Sequence, residues 1–231
     1  MIPIPDLFIV GTDTGVGKSM VSLLLMQLLF AKGYAPFYLK PFQTGCADPY
    51  AADSDAKFIY AHTPALKGLD PAQSVVYCHA EPRAPYFAAL KVGAEIDLAA
   101  IRKVVADKRK KHSPLVIEGA GGLLVPVTGT VMVVDVIKQL GCRPLLVARA
   151  GLGTINHTLL SIEALRLRNV EPLGVVFVDA ATPPAETVLV AENIRAVESF
   201  GHVDVAGVID PISDCRKPPA SVYGVLEKVL G

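Results

Sequence analysis

A glycine-rich segment near the N-terminus, ending in Gly17-Lys18-Ser19, combines the residue types that bind a phosphate chain. It begins at Gly11 and reads Gly-Thr-Asp-Thr-Gly-Val-Gly-Lys-Ser. Glycines let the backbone approach phosphate oxygens, a following helix directs N–H groups at the anion, and the lysine reaches the β- and γ-phosphates while the serine holds Mg²⁺. The segment therefore predicts a nucleoside triphosphate site. Its loop is one residue longer than the common pattern, which has glycine where this chain has Thr12.

Two charged side chains follow predicted strands and indicate phosphoryl-transfer chemistry. Lys40 closes the strand predicted at residues 36–39, and Glu118 ends the strand predicted at residues 115–117. In a sheet of parallel strands, these carboxyl ends share one edge with the phosphate loop. An ammonium there stabilises negative charge on transferring oxygens, and a carboxylate supplies the oxygen ligands that Mg²⁺ prefers.

A second carboxylate for the metal comes from the segment Asp53-Ser54-Asp55, which opens a predicted helix. Asp55 is the predicted ligand, together with Ser19 and Glu118. Two alternatives stay open at this point. Aspartate at a helix start is a common capping residue, and Asp53 competes with Asp55 for the role of ligand.

Short apolar runs bounded by glycine alternate with longer helical stretches along the chain. This pattern predicts an α/β fold of the P-loop NTPase type, in which a mostly parallel β-sheet carries helices on both faces. Strands are predicted at residues 7–10, 36–39, 115–117, 145–148, 173–178 and 203–209. Helices are predicted near residues 18–31, 54–61, 99–110, 131–140, 155–168, 185–199 and 220–229. Residues 64–85 are rich in loop-forming residues and are expected to form a flap.

The composition is typical of one globular unit and argues against several classes of protein. The chain has 231 residues, of which 52% are hydrophobic, so we expect a single domain over residues 1–231. Lys and Arg number 22, as do Asp and Glu, and zero net charge gives no reason to expect nucleic acid or a membrane as partner. The N-terminus does not resemble a signal peptide, and the longest apolar run is too short for a bilayer. Four widely spaced cysteines, including Cys46, match no metal motif and are expected to be reduced thiols of a cytoplasmic protein.

Together, these residues resemble the dethiobiotin synthetase family, whose members are ATP-dependent enzymes of biotin biosynthesis. The resemblance extends over most of the chain, and the long phosphate loop is a feature of this family. The matching segments are Gly11 to Ser19, Lys40-Pro41 with Thr44-Gly45, Ser54-Asp55-Ala56, Glu118 to Gly122, Gly153-Thr154-Ile155-Asn156-His157 and Thr182-Pro183-Pro184.

The resemblance implies an ATP-dependent ring closure. Family members combine 7,8-diaminononanoate with CO2, so that one amine forms a carbamate, which ATP phosphorylates to a carbamic-phosphoric anhydride. The second amine then closes the ureido ring and expels phosphate. For this chain, the resemblance implies that Lys18 and Lys40 are catalytic and neutralise the reacting oxygens. It also implies that Mg²⁺ is held by Ser19, Asp55 and Glu118.

The resemblance further implies a substrate site, a nucleotide site and a homodimer. Thr14 and Thr44 would bind the diamine or its carbamate. Asn156, near the start of a predicted helix, would receive the substrate carboxylate from the partner subunit, with simple helix capping as the alternative. Residues 81–89 resemble the family's substrate-side loop. The implied nucleotide contacts are Gly15, Val16, Gly17, Lys18, Ser19, Met20, Asp55, Glu118, Gly119, Ala120, Gly121, Asp179, Ile209, Asp210 and Pro211.

Two positions depart from the family on the side of the nucleotide base. The chain has Asp179 where members often carry asparagine, and Ile209-Asp210-Pro211 where they often have Ile-Pro. An asparagine amide both donates to and accepts from an adenine edge, whereas a carboxylate only accepts. The sequence therefore leaves the preferred nucleoside triphosphate open, and a base that presents donors, such as guanine, could be favoured.

Three other interpretations share parts of this pattern. A partition-type P-loop ATPase switch normally carries an additional lysine early in the loop, and the segment from Gly11 to Gly17 contains none. A cobyrinate-type amidotransferase needs a glutaminase domain, which we do not expect within 231 residues. A nucleotide-binding relic with a structural role would have no use for Lys40, Asp55 and Glu118 together.

Overall fold

Seven strands and eight α-helices alternate along residues 3–231, the part of the chain that this computed structural model describes. The strands are β1 (Leu7–Gly11), β2 (Phe37–Thr44), β3 (Val75–His79), β4 (Leu115–Gly122), β5 (Arg143–Arg149), β6 (Gly174–Val178) and β7 (Val205–Ile209). The helices are α1 (Lys18–Ala31), α2 (Asp55–His62), α3 (Pro85–Lys91), α4 (Leu98–Arg109), α5 (Val133–Leu140), α6 (Thr154–Arg166), α7 (Thr187–Gly201) and α8 (Ala220–Leu230).

The strands form one sheet in the order β3-β2-β4-β1-β5-β6-β7, and each neighbouring pair is parallel. The carboxyl ends of the strands therefore meet at a single edge, where ligands bind in this architecture. β1, which leads into the phosphate loop, lies in the centre between β4 and β5. The predicted parallel sheet is confirmed.

Alternation along the buried strands divides the apolar side chains between the two faces of the sheet. In β1, Phe8 and Val10 pack into one core while Leu7 and Ile9 pack into the other, and all four are fully buried. Residues of α1, α2 and α8 complete the core around Leu7, and residues of α3 to α7 complete the core around Phe8. Helices thus cover both faces, as the apolar strand runs predict. Among residues 3–231, no helix is long and apolar enough to span a membrane.

Two elements correct the sequence predictions. The expected flap over residues 64–85 contains the edge strand β3, so the sheet has one strand more than the six predicted. All five β3 residues are only half-buried, which removes the apolar signal of the interior strands. The helix α3 begins inside residues 81–89, the expected loop, and extends to Lys91; its first residue, Pro85, is suited to the first helical turn.

The strand β2 also continues past its predicted end, through Pro41 to Thr44. It pairs with β4 over residues 37–39 and with β3 from Lys40 onward, and Pro41 has no paired residue in either register. The missing N–H of proline is therefore not needed in the ladder. In this extension, residues Lys40 to Thr44 run beside the edge strand β3 toward the phosphate loop.

One buried amide connects the helix after the phosphate loop to two neighbouring segments. Gln27 of α1 is 8% exposed. Its Nε2 donates to the carbonyl oxygens of His62 (2.7 Å) and Cys215 (2.8 Å), and its Oε1 accepts from the Tyr223 hydroxyl at 3.0 Å. Gln27 thereby fixes α1 to the end of α2, to α8, and to the loop that follows β7.

We expect Gln27→Leu to lower the free energy of unfolding by about 1–3 kcal/mol, because two partly buried carbonyl oxygens lose their donor. Urea denaturation of both proteins measures the difference. Gln139→Leu is the matched control, because Gln139 is exposed and accepts from the exposed side chain of Arg102. It should change stability by less than about 0.5 kcal/mol. Equal effects of the two substitutions would show that Gln27 has no special structural role.

Candidate active site

The loop between β1 and α1 places glycine where the backbone leaves no room for a side chain. A Cβ on Gly11 would lie 2.6 Å from the carbonyl O of Asp13 and 3.0 Å from the Nζ of Lys18. Gly17, the residue before α1, has a φ of +99°, a conformation that L side chains rarely adopt. In the common pattern, the glycine that permits this close backbone approach lies one position later. Here Gly11 permits it, and the loop accommodates Thr12 at the later position.

Three oxygen-bearing side chains from different elements meet at the start of α1. The Ser19 hydroxyl lies 2.7 Å from Asp55 Oδ1 and 2.9 Å from Glu118 Oε1. Asp55 is the first residue of α2, but the residue that caps this helix is Ser54, whose side chain accepts from the N–H of Lys57. Asp55 is therefore an acidic residue of the first turn of α2 and not its cap, and its carboxylate contacts Ser19.

Lys40 contacts both of these carboxylates. Its Nζ lies 2.7 Å from Asp55 Oδ2, 2.7 Å from Glu118 Oε1 and 3.2 Å from the carbonyl O of Gly119. Lys40 is 5% exposed and Glu118 is 0% exposed. The neighbouring positions of β2 and β4 in the sheet bring Lys40 and Glu118 together. Both residues lie inside these strands and not, as predicted, at their ends, because β4, like β2, continues past its predicted end.

Tyr38 is a site residue that the sequence motifs do not identify. Its hydroxyl donates to Glu118 Oε2 at 3.0 Å, and the side chain is 1% exposed. Burial and the charge of Glu118 raise the pKa of Tyr38 well above its usual value, which keeps the hydroxyl protonated as a donor. The available signal was its spacing: Tyr38 lies two residues before Lys40, on the same face of a strand, and a buried tyrosine needs a partner for its hydroxyl.

Burial and charge pairing act in opposite directions on the ionisable groups. Burial lowers the pKa of Lys40, but Glu118 and Asp55 outweigh it, and the pKa lies above its usual value. Burial raises the pKa of Asp55, but Lys40 outweighs it, and that pKa lies below its usual value. Burial and the nearby charge of Lys40 lower the pKa of Lys18 to about 8, and its ammonium donates to the carbonyl O of Asp13 at 2.9 Å. The site therefore presents two closely spaced ammonium groups.

A cavity of about 580 Å³ opens over these groups. Its wall includes Asp55 but not Asp53. Pro82, Arg83, Ala84 and Pro85 also line the cavity. Phe42, Gln43 and Val125 line the cavity without having been predicted. The predicted site residues that line it are Thr14, Gly15, Gly17, Lys18, Ser19, Met20, Lys40, Thr44, Asp55, Glu118, Ala120 and Gly121.

The remaining predicted nucleotide contacts lie outside this cavity. Val16 is 2% exposed and packs into the apolar core beneath the loop. Gly119 lies behind the cavity wall, where a Cβ would approach Phe8 to 2.9 Å. Ile209 is fully buried at the end of β7, and the exposed Asp210 and Pro211 follow it.

Asp179 follows β6 and organises the next loop. Its carboxylate accepts from the backbone N–H groups of Ala181 (3.2 Å) and Ala185 (2.8 Å), and the residue is 5% exposed. Its own N–H donates to the carbonyl O of Ile209 at 2.9 Å. The two segments predicted to face the base are therefore adjacent, and Asp179 connects them.

Asn156 lies in the first turn of α6 and is exposed. The cap position of this helix is held by Gly153, which has no side chain and a φ of +88°. The capping interpretation of Asn156 is therefore wrong. The residue does not line the cavity that contains Lys40.

The donor set at Ser19, Asp55 and Glu118 fits Mg²⁺ bound together with a phosphate chain. Mg²⁺ prefers oxygen ligands and is usually held by one or two carboxylates along with water and phosphate oxygens. Residues 3–231 contain no group of three or more His, Cys, Asp or Glu side chains that could hold a metal ion.

Solved structures with this fold have low sequence identity to the chain. A ParA family ATPase from Chlorobium tepidum has a TM-score of 0.57 at 12% identity and matches 96% of this chain and 88% of its own. The cell division protein FtsY from Thermotoga maritima has a TM-score of 0.53 at 16% identity and matches 100% of this chain and 70% of its own. These similarities show the P-loop NTPase fold alone.

Curated relatives are closer in sequence. The ATP-dependent dethiobiotin synthetase BioD of Anaeromyxobacter sp. (strain K) is 40% identical over 221 residues, or 95% of this chain and 96% of the relative. The enzyme of the same name from Paramagnetospirillum magneticum is 38% identical over 205 residues, or 89% of this chain and 87% of the relative. The biotin biosynthesis bifunctional protein BioCD of Bordetella avium is 41% identical over 202 residues, and the match spans 38% of its length. Residues 6–219 also match the family described as AAA domain. On this identity and coverage, the chain belongs to the ATP-dependent dethiobiotin synthetase family.

Proposed function

We propose that this protein converts 7,8-diaminononanoate, CO2 and ATP to dethiobiotin, ADP and phosphate, with residues 1–231 acting as one catalytic domain. The observation that carries the proposal is the convergence of two lysines, two carboxylates and a hydroxyl on one cavity. Its contributors are Lys18 and Ser19 after β1, Lys40 from β2, Asp55 from α2 and Glu118 from β4. Membership of the dethiobiotin synthetase family supports the same reaction.

The chain's own residues bind and orient the reactants in this proposal. The N–H groups of the phosphate loop and of the α1 N-terminus bind the triphosphate, with the Lys18 ammonium against its β- and γ-phosphates. Thr14 and Thr44, which line the same cavity, hydrogen-bond the diamine or its carbamate. Mg²⁺ held by Ser19, Asp55 and Glu118 would neutralise charge on the phosphate oxygens.

The reaction then needs position and charge compensation more than a strong base. The carbamate oxygen attacks the γ-phosphorus and ADP leaves, giving the carbamic-phosphoric anhydride. The second amine attacks the carbonyl carbon, the C–O bond to phosphate breaks, and the amine proton leaves with water or phosphate. Lys18 and Lys40 line the cavity where these oxygens gather charge. Ammonium groups fixed at such a place stabilise the transition state.

Phosphate release from Mg-ATP in bicarbonate buffer, with and without 7,8-diaminononanoate, tests the proposal. We expect release that depends on the diamine and a product with the mass of dethiobiotin. ATP hydrolysis that is indifferent to the diamine would contradict the proposal. That result would favour the alternative function, a partition-type P-loop ATPase switch.

We propose that Asp179 influences the choice of nucleotide base. A carboxylate only accepts hydrogen bonds, so it disfavours the adenine edge, which both donates and accepts. Asp179→Asn should shift kcat/KM toward ATP relative to GTP and CTP. Because Asp179 also holds the N–H groups of Ala181 and Ala185, Asp179→Ala is the control. Asp179→Ala should lower kcat/KM for ATP, GTP and CTP alike. A ranking that Asp179→Asn leaves unchanged would remove Asp179 from base recognition.

We also propose that the protein works as a homodimer, which would bring Asn156 of one subunit to the substrate of the other. Support comes from exposed leucines beside the phosphate loop: Leu124 is 56% exposed and Leu160 is 57% exposed, and both line a cavity of about 370 Å³ that includes Thr14. Exposed apolar patches of this kind commonly mark protein interfaces.

Leu160→Asp should convert the dimer to a monomer, because a charge in a packed interface is costly to bury. Sedimentation equilibrium measures the change in mass, and turnover should fall with it. Leu69→Asp is the control, because Leu69 is similarly exposed, at 52%, but lies in a different part of the surface. A monomeric unaltered protein with full activity would overturn the dimer proposal.

A further inference from the structure

Each oxygen of the Asp55 and Glu118 carboxylates already has a hydrogen-bond partner in the fold. Asp55 Oδ1 contacts Ser19 at 2.7 Å, and Asp55 Oδ2 contacts Lys40 at 2.7 Å. Glu118 Oε1 contacts Ser19 at 2.9 Å and Lys40 at 2.7 Å, and Glu118 Oε2 accepts from Tyr38 at 3.0 Å. A metal ion that coordinates Asp55 Oδ2 and Glu118 Oε1 would therefore meet the Lys40 ammonium at both oxygens.

Lys40 is the partner that has to give way. Ser19 is itself a candidate metal ligand and stays at the site. Tyr38 is 1% exposed and holds the Glu118 oxygen that faces away from Ser19 and Lys40. The Lys40 ammonium, by contrast, lies at the end of a flexible chain and contacts one oxygen of each carboxylate. Two cations at the same oxygens repel each other strongly in a partly desolvated site.

We propose that Lys40 and the divalent metal compete for the same carboxylate oxygens, so that arrival of the metal–nucleotide moves the Lys40 ammonium toward the substrate. This inference rests on the proposed function and deepens it. Before the metal–nucleotide arrives, Lys40 is a counter-ion of the buried Glu118. After it arrives, Lys40 is a catalytic cation. The side chain has space to move into, because Lys40 lines the cavity that also contains Thr14 and Thr44.

The exchange keeps the buried carboxylates compensated in both states. Without a cation beside it, Glu118, which is 0% exposed, would be a buried unpaired charge, and such groups are strongly destabilising. Lys40 supplies the compensation until the metal replaces it. The lysine is therefore released to the reacting oxygens only when the nucleotide's metal is in place. Binding of the metal and the position of the catalytic lysine are thereby coupled.

Binding of Mn²⁺ alone, followed by the electron paramagnetic resonance signal of the free ion, tests the competition without nucleotide or diamine. Lys40→Met keeps an unbranched side chain, one atom shorter, but removes the competing ammonium, and we expect it to bind Mn²⁺ at least about tenfold more tightly than the unaltered protein. Lys18→Met is the matched control, because it removes an equal charge from the same cavity. Lys18 donates to the Asp13 carbonyl O and not to a carboxylate, so Lys18→Met should raise the affinity for Mn²⁺ by no more than about threefold.

Two further variants keep the test decisive. Lys40→Arg retains a cation between the carboxylates and should bind Mn²⁺ as weakly as the unaltered protein. If Lys40→Met does not fold, as judged by circular dichroism, then Lys40→Gln, which is neutral but still donates a hydrogen bond, replaces it with the same expectation.

Equal Mn²⁺ affinity of the unaltered and Lys40→Met proteins would overturn the inference, and so would equal tightening in Lys40→Met and Lys18→Met. Failure of every variant to bind Mn²⁺ would overturn it as well and would also count against the proposed metal site. A protein that binds Mn²⁺ regardless of Lys40, yet forms dethiobiotin, would retain the proposed function and lose only the competition.

Discussion

Lys40→Ala is expected to lower turnover by about 10²- to 10³-fold while Mg-ATP still binds, because the lysine acts on charge that develops in the transition state. Binding should persist because the phosphate loop, Lys18 and the two carboxylates remain in place. Turnover is measured as diamine-dependent phosphate release, and binding is measured by calorimetry with a non-hydrolysable ATP analogue. A fall in kcat without any loss of nucleotide affinity identifies an interaction made in the transition state and not in the bound nucleotide complex.

Lys57→Ala provides the matched control for this experiment. Lys57 lies in the same region of sequence, but its ammonium donates to the carbonyl O of Tyr50, and the side chain does not line the cavity that contains Lys40. Its removal should leave turnover within about twofold of the unaltered protein, as is usual for substitutions away from a site. Intact turnover in Lys40→Ala would remove Lys40 from the mechanism.

The parts of the site that the sequence predicts are those encoded within a few consecutive residues. The function of the phosphate loop, from Gly11 to Ser19, can be predicted from consecutive residues, because the strand before it and the helix after it fix its backbone. Parallel strands that share one edge also predicted that Lys40 and Glu118 would lie near each other, although both residues lie inside their strands and not at the ends. The structure confirms that Lys40, Asp55 and Glu118 meet.

The parts that escaped prediction depend on which strands are neighbours. The contact of Tyr38 with Glu118 requires β2 to lie beside β4, and residues 80 apart carry no mark of that pairing. The choice between Asp53 and Asp55 depended on where α2 begins, and Ser54 fixes that point by capping the helix. The edge strand β3 was missed because its side chains are half-buried and lack a clear apolar period.

The residues predicted to face the nucleotide base show a third limit of prediction from sequence. The departure at Asp179 is visible in the sequence, but the engagement of its carboxylate with the loop after β6 is not. A loop can satisfy a buried carboxylate with its own N–H groups in many ways, and the sequence does not distinguish among them. Any effect of Asp179 on the nucleotide therefore acts on a loop that the same residue holds in place.

Glu118→Gln is expected to lower turnover by at least about 10²-fold and to raise the Mg²⁺ concentration for half-maximal activity by about tenfold. The amide keeps the shape of the side chain but removes a charge that is 0% exposed and in contact with Ser19, Tyr38 and Lys40. A neutral amide oxygen is a weaker ligand for Mg²⁺ than a carboxylate, and the amide nitrogen cannot accept from the tyrosine hydroxyl. Titration of activity with Mg²⁺ at saturating ATP and diamine measures both effects.

Asp53→Asn is the control for Glu118→Gln, because it also neutralises one acidic group of the same region. Asp53 is exposed and does not line the cavity, so both turnover and the Mg²⁺ requirement should stay within about twofold of the unaltered protein. An unchanged Mg²⁺ requirement in Glu118→Gln would mean that Glu118 only holds Lys40. If instead the Mg²⁺ requirement rises in Glu118→Gln and not in Asp53→Asn, the carboxylate that pairs with the lysine is also the carboxylate that holds the metal. The catalytic lysine and the metal site would then share one buried charge, which is why neither can be altered without changing the other.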